Sequence, residues 1–225
     1  MQYLTKLPAT SLLNIHGADS ALGELIAIYK IDYNSHRGMI AISTGGHQTK
    51  VQFVWLAMSR SRIMWPDYDP KETDPKPLCK SLDANLPIGG ITMRPGPCNA
   101  CQDAKWIEGN PPLCAEIFNL LCWDVQQQLP FIFGVKRTGI KPLRLLKVQL
   151  KLQALQHGYH NIPDHCCAKL ELKAKPEGTY FVPQFTILSR LTEAEALCYY
   201  ELAQRFLAQI EPVDPEDLNG NNGHH

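Results

Sequence analysis

Charge of either sign is in no surplus: Lys and Arg number 22, and so do Asp and Glu. Taken whole, that neutrality argues against a nucleic-acid partner. Long hydrophobic runs are missing too, since no stretch approaches the ~20 apolar residues of a membrane span. Met1 to Leu22 lack the basic start, apolar run and small-residue cleavage site of a signal peptide. The eight cysteines therefore read as reduced thiols of a cytoplasmic protein, not as a secreted disulfide framework. Catalytic fingerprints are also absent. There is no Walker loop, no dinucleotide glycine pattern, no His-Glu-x-x-His and no nucleophile elbow. Gly45-Gly46 lacks the surroundings of a phosphate cradle, and no carboxylate cluster announces a nuclease or other hydrolase. Cys122 and Cys198 lie in apolar stretches, as buried inert thiols do. The expectation is a protein that is not an enzyme.

With 225 residues and 44% hydrophobic content, the chain can hold one sizeable domain with an insertion, or two small ones. Four central cysteines stand out: Cys79, Cys98, Cys101 and Cys114, spaced C-x18-C-x2-C-x12-C. The Cys98-Asn99-Ala100-Cys101 knuckle turns two thiolates toward one tetrahedral ion, and single cysteines on either side complete a zinc-ribbon set. Pro75, Pro77, Pro87, Gly89, Gly90, Pro95, Gly96 and Pro97 crowd this stretch. So little apolar surface makes a structural Zn2+ the economical source of order. Cys122 is the alternative to Cys114 as fourth ligand. A lesser set, Cys166-Cys167 near His160 and His165, is weakened because neighbouring strand residues face opposite ways.

The neutral total hides segregation. From Gly134 to Lys175 nine basic residues face two acidic ones, whereas from Leu191 onward seven acidic residues face Arg205 alone. A basic body with an acidic tail offers a surface to polyanions.

Apolar and β-branched runs at 24–33, 39–42 and 50–65 read as consecutive antiparallel strands. The zinc segment, about 66–115, interrupts them. Strands resume at 116–123 and 130–136. The run 138–156 is read as a helix on length and on the Leu143, Leu146, Leu150 and Ala154 stripe, although Leu146 to Gln153 also alternate as a strand would. A hairpin comes next, at 165–174 and 179–191 around Lys175-Pro176-Glu177-Gly178. Thr192 and Glu195 then open a helix to Ile210 through a capping box.

Strands, insertion, strands, helix, hairpin and helix together predict an α+β, mainly β fold: an OB-fold-like barrel with a four-cysteine zinc-ribbon insertion and a C-terminal helix. The barrel domain is expected over 1–211. Residues 212–225 form an acidic, polar tail ending in what looks like a tag remnant.

Aromatic and basic residues form the second constellation. Phe53 and Trp55 share one strand face, as do Phe131 and Phe133. Arg60, Arg62 and Trp65 end one strand, and Lys136 and Arg137 follow another. Sites for single strands join aromatic platforms to phosphate-tracking cations. Trp55, Trp65 and Phe133 are the stacking candidates. Arg60, Arg62, Lys136, Arg137, Lys141, Arg144 and Lys147 are the phosphate contacts.

The strings Ser59-Arg60-Ser61-Arg62-Ile63-Met64-Trp65-Pro66 and Pro77-Leu78-Cys79-Lys80-Ser81-Leu82-Asp83, with Cys98-Asn99-Ala100-Cys101, Lys105-Trp106, Cys114 and Leu129-Pro130-Phe131, resemble zinc-ribbon-bearing single-stranded-DNA-binding-like proteins of phages and mobile elements. The likeness spans roughly residues 50 to 145. It implies single-stranded DNA binding in replication or recombination, and an acidic tail that recruits the proteins of those processes. RNA in place of DNA, and self-association into a homo-oligomer, stay open. The rival expectation is a zinc-module adaptor for protein partners that touches no nucleic acid.

Overall fold

The computed structural model describes residues 26–31, 38–67, 69, 71, 75–209 and 214–216. Residues 1–25, 32–37, 68, 70, 72–74, 210–213 and 217–225 lie outside the described residues. So do the expected ends of the first strand, the turn after it and most of the tail. The elements run β1 (Ala27–Ile31), β2 (Ile40–Ile42), β3 (His47–Gln48), β4 (Lys50–Met64), β5 (Cys79–Ser81), β6 (Ala115–Asp124), β7 (Leu129–Lys136), α1 (Ile140–His157), β8 (Ala168–Glu177), β9 (Tyr180–Arg190) and α2 (Glu193–Gln209).

All nine strands join one curled, half-barrel sheet in the order β3-β2-β1-β7-β6-β4-β8-β9, with β5 added to the end of β4. The fold is mainly β and carries a C-terminal helix. Neighbours are antiparallel except β1 and β7, which run parallel with Ala27 opposite Phe131. The expected meander of the first three runs therefore stops at β3. Instead of pairing there, β4 lies between β6 and β8.

A bulge between Trp55 and Ala57 bends β4, as an extra residue does on one strand of a pair. Its first half pairs with β8 and its last residues pair with β5.

The sheet is buried on both faces. Inside the curl, Tyr29, Phe53, Trp55, Leu120, Cys122, Phe131 and Phe133 pack with Leu143, Leu146 and Leu150 of α1. Outside it, Val54, Leu56, Ile117, Leu121, Trp123 and Ile132 lie beneath Tyr199, Leu202, Ala203 and Phe206 of α2. Burying each leucine of α1 contributes about 1.5–3 kcal/mol, so Leu146→Ala is the simplest way to loosen that helix.

α2 begins where the Thr192 hydroxyl accepts from the Glu195 N–H at 3.3 Å, while the Glu195 carboxylate accepts from the Thr192 N–H at 2.8 Å. This reciprocal pair satisfies two helix-end donors. The ambiguous stretch after β7 folds as helix, because its 3.6-residue stripe finds the inner core.

The two ends of the sheet are built differently. The β6–β7 turn is tied down by Asp124, fully buried, which accepts from the Tyr29 hydroxyl at 3.0 Å and from the Gln126 and Gln127 N–H groups at 2.8 and 2.9 Å. At the other end Ser61 pairs with Ile117, and Ile117 with Lys136. The roots of the insertion and the start of α1 are therefore neighbours.

Candidate metal centre and nucleic-acid surface

The sheet itself brings the outer pair of cysteines together. Cys79 on β5 stands opposite Met64, and Cys114 directly precedes Ala115, which pairs with Ile63. Met64 thus sits between two thiols, and Met64, Cys79 and Cys114 form one small buried cluster. The knuckle folds by local turns. The Ala100 N–H donates to the Pro97 carbonyl at 3.0 Å and the Cys101 N–H to the Cys98 carbonyl at 3.3 Å. Two bonds stitch it to the rest: Cys98 N–H to the Asn85 carbonyl at 2.7 Å, and Cys114 N–H to the Asp103 carbonyl at 2.8 Å.

Gly90, at φ +123°, runs so close to β5 that an added Cβ would collide with the Leu78 carbonyl oxygen. Only glycine fits there. Asp83 accepts from the Asn85 and Leu86 N–H groups at 2.8 and 3.1 Å, and these bonds hold its carboxyl down to about 2.

Cys79, Cys98 and Cys114 are each 7% exposed, Cys101 is half-buried, and all eight cysteines are free thiols. Burial pushes the Cys114 thiol up to about 11; Arg62 opposes this, and charge on Cys79, Cys98 and Cys101 adds to it. The four thiols therefore share one electrostatic neighbourhood. Even so, among the described residues no three His, Cys, Asp or Glu side chains are arranged to hold a metal ion. A shared zinc would need the sulfurs drawn to ~2.3 Å from one point. Four thiols on a turn-rich loop suit that ion chemically.

Cys122 is fully buried in the inner core, opposite Phe131, where burial alone raises its thiol far above the ordinary range. It is not among the groups that act on Cys114. Cys166 and His165 both reach the Leu56 carbonyl, at 3.5 and 3.1 Å, and Cys167 donates to the Pro163 carbonyl. These are structural contacts of a buried turn.

The stacking candidates divide. Trp55 is 2% exposed, donates from Nε1 to the Ala57 carbonyl at 2.7 Å and lies against the His165 ring. Phe133 is 3% exposed and meets Phe185 edge-on. Neither has an open face for a base, which corrects the reading of both as platforms. The reason is that the inner face of the sheet is closed by α1. Trp65 remains half-buried on the outer side. Sequence reasoning passed over Trp106 as a platform, although the Lys105-Trp106 string marked it; it is 70% exposed on the insertion.

The cations divide as well. Arg60 and Arg62 both reach the Glu116 carboxylate, at 3.4 and 3.8 Å, and Arg62 also donates to the Cys114 carbonyl. Lys136 is half-buried, and burial, with Arg137 and Lys30 nearby, lowers its ammonium to about 8. Arg137 is exposed at φ +48° where the chain turns into α1. Lys141, Arg144 and Lys147 are exposed on α1, and their spacing of three lines one flank. None of Arg137, Lys141, Arg144 and Lys147 takes part in an ion pair among the described residues, and α1 contains no acidic residue.

The acidic tail has a partner that the charge pattern did not reveal. The Lys80 ammonium on β5 bonds the Asp214 carboxylate at 2.5 Å and also the Glu216 carboxylate. Pro215 between them is buried. The bonds to Asp214 and then Glu216 raise the Lys80 ammonium above its ordinary value. This part of the tail thus lies on the insertion and not on the cation row of α1. No helix among the described residues is long and apolar enough to cross a membrane. No family model, no curated protein and no solved structure matches the chain.

Proposed function

We propose that the chain binds single-stranded nucleic acid, DNA in the first instance, as a non-enzymatic OB-fold-like protein stapled by one zinc ion at Cys79, Cys98, Cys101 and Cys114. The observation that carries this reading is the row of Arg137, just before α1, with Lys141, Arg144 and Lys147 on it, all exposed and in no ion pair among the described residues. Four like charges along one flank repel one another, and a polyanion laid against them relieves that repulsion.

Strand order supports the barrel reading. Counting from β4 and setting aside the short β5 off its end, the order β7-β6-β4-β8-β9 is third, second, first, fourth, fifth, with a helix between third and fourth. In OB barrels the loop between the first two strands frames the ligand, and here that loop is the insertion with Lys105 and Trp106. Because α2 covers Leu121, Trp123 and Ile132, the strand would follow the rim, from the insertion past Lys136 and Arg137 onto α1. Single-strand binding with a zinc staple also accords with the resemblance to proteins of phage and mobile-element replication and recombination.

Fluorescence anisotropy with labelled single-stranded DNA, single-stranded RNA and duplex DNA, at several salt concentrations, tests the reading. Single strands bind best, and changing Arg137, Lys141, Arg144 and Lys147 together to Gln flattens the salt slope by roughly 3, at ~0.7 per phosphate contact. Parent protein that ignores single strands at low salt, or a quadruple variant that binds as tightly as the parent, ends it.

One observation favours the adaptor reading. Leu86, Ile88, Ile91, Met93, Ile107 and Leu113 of the insertion are each at least half exposed, an apolar surface of the kind that protein partners cover. Such a contact would show little salt dependence.

A further inference from the structure

We infer that β9 and α1 form a twofold interface on which a second copy of this chain pairs, strand edge to strand edge, independently of nucleic acid. The sheet has two edges, and they are unequal. β3 is two residues long, short enough to offer nothing for pairing. β9 is eleven residues long and, among the described residues, bonds only β8. From Gln184 to Ser189 it carries no lysine, proline or acidic residue. Gln184, Thr186 and Leu188 are exposed there. The six-residue stretch between Pro183 and Arg190 is uncharged and lacks the devices that keep strands apart.

Beside it lies a groove of about 440 Å³ between Gln149, Leu152 and Gln153 of α1 and Phe185, Thr186 and Ile187 of β9. α1 buries Leu143, Leu146 and Leu150, yet its opposite side exposes Leu145, Val148, Leu152 and Leu155 by 55–76%. Their spacing of three, four and three residues makes one apolar stripe. Monomeric surfaces seldom keep such a row open to water.

The distribution of charge selects the occupant. Glutamines line the side of α1 that faces β9, Arg144, Lys147 and Lys151 follow the other flank, and Lys141 stands at the first end of the apolar stripe, four residues before Leu145. A twofold axis beside the edge would bring together uncharged strands and neutral flanks and leave Arg144, Lys147 and Lys151 outside. An acidic peptide would find nothing to pair with in the groove, and lipid tails would strand the amides of Gln149 and Gln153. Antiparallel pairing about Thr186 and Ile187 is self-complementary, as a twofold contact must be. Because a short strand pair alone falls below the ~1,200 Å² of a stable interface, the leucine stripes are needed to complete it.

Sedimentation of the full chain over a concentration series, without nucleic acid, tests the inference. The parent should reach twice its 25.3 kDa mass. Thr186→Lys, which charges the edge, and Leu155→Lys, which charges the stripe, should each raise the dimer dissociation constant at least tenfold. Circular dichroism should stay native, since both side chains are exposed. If Thr186→Lys perturbs the β8–β9 hairpin, Leu155→Lys decides alone. A parent that stays monomeric throughout, or a dimer that a natively folded Leu155→Lys protein retains at parental strength, overturns the interface. Neither result bears on DNA binding.

Discussion

Replacing Trp55 separates the core from the binding surface. The indole is 2% exposed, donates to the Ala57 carbonyl at 2.7 Å and fills the bend of β4 beside His165. Truncation to Ala opens a cavity behind the bulge and orphans that carbonyl. Large aromatic-to-alanine changes in cores cost about 3–5 kcal/mol, of which the lost hydrogen bond is about 1. Against a typical total of roughly 5–15 kcal/mol, this is a large fraction. Trp55→Phe keeps most of the volume and loses the donor, so about 1–2 kcal/mol is expected. Urea unfolding gives the stabilities, and anisotropy with a single-stranded oligonucleotide gives affinity per folded molecule. Because the ring has no open face, that affinity should change less than about twofold, or 0.4 kcal/mol. A Trp55→Phe protein as stable as the parent but tenfold weaker in binding would place the indole on the binding surface and restore its stacking role.

Metal content gives the next expectation: one zinc per chain, lost from Cys98→Ser and Cys114→Ser and kept by Cys122→Ser, as measured by elemental analysis; loss with Cys122→Ser and retention with Cys114→Ser would reassign the fourth ligand. Lys136 sets a pH dependence. Its folded value of about 8 lies below the ordinary 10.5, so between those values the unfolded chain binds more protons and stability rises with pH. If Lys136 contacts a phosphate as proposed, the same deprotonation removes that contact, so single-strand affinity should fall through about pH 8 in the parent and stay flat in Lys136→Gln.

The later half of the fold was legible because its signals are local. The turn at Lys175 to Gly178, the capping box at Thr192 and Glu195, and the leucine stripe of α1 each need only neighbours within a few residues. What escaped depends on distant partners. β5 is three residues long and exists because Met64 presents an edge to it. The parallel bond of β1 to β7 has no local signature at all. Period-two spacing placed Phe53 with Trp55 and Phe131 with Phe133 correctly on shared faces. It could not say whether a face looks out, and here both faces of the sheet are covered by helices, so alternation loses its usual meaning. The cysteine spacing marked the insertion, whereas the Lys80 clamp on Asp214 and Glu216 joins charges that no pattern relates.

The length of β4 also bears on how the chain assembles. Its first residues find β8 only when Gln52 meets Glu171, about 120 residues later, a long loop to close and a slow step in folding. During synthesis, Val51 and Phe53, which end up fully buried, wait unpaired while the insertion and β6 emerge. A nascent strand held open in this way is prone to pair with other chains. Yield of soluble protein should therefore depend more on the rate of synthesis and on temperature than on the stability of the finished fold.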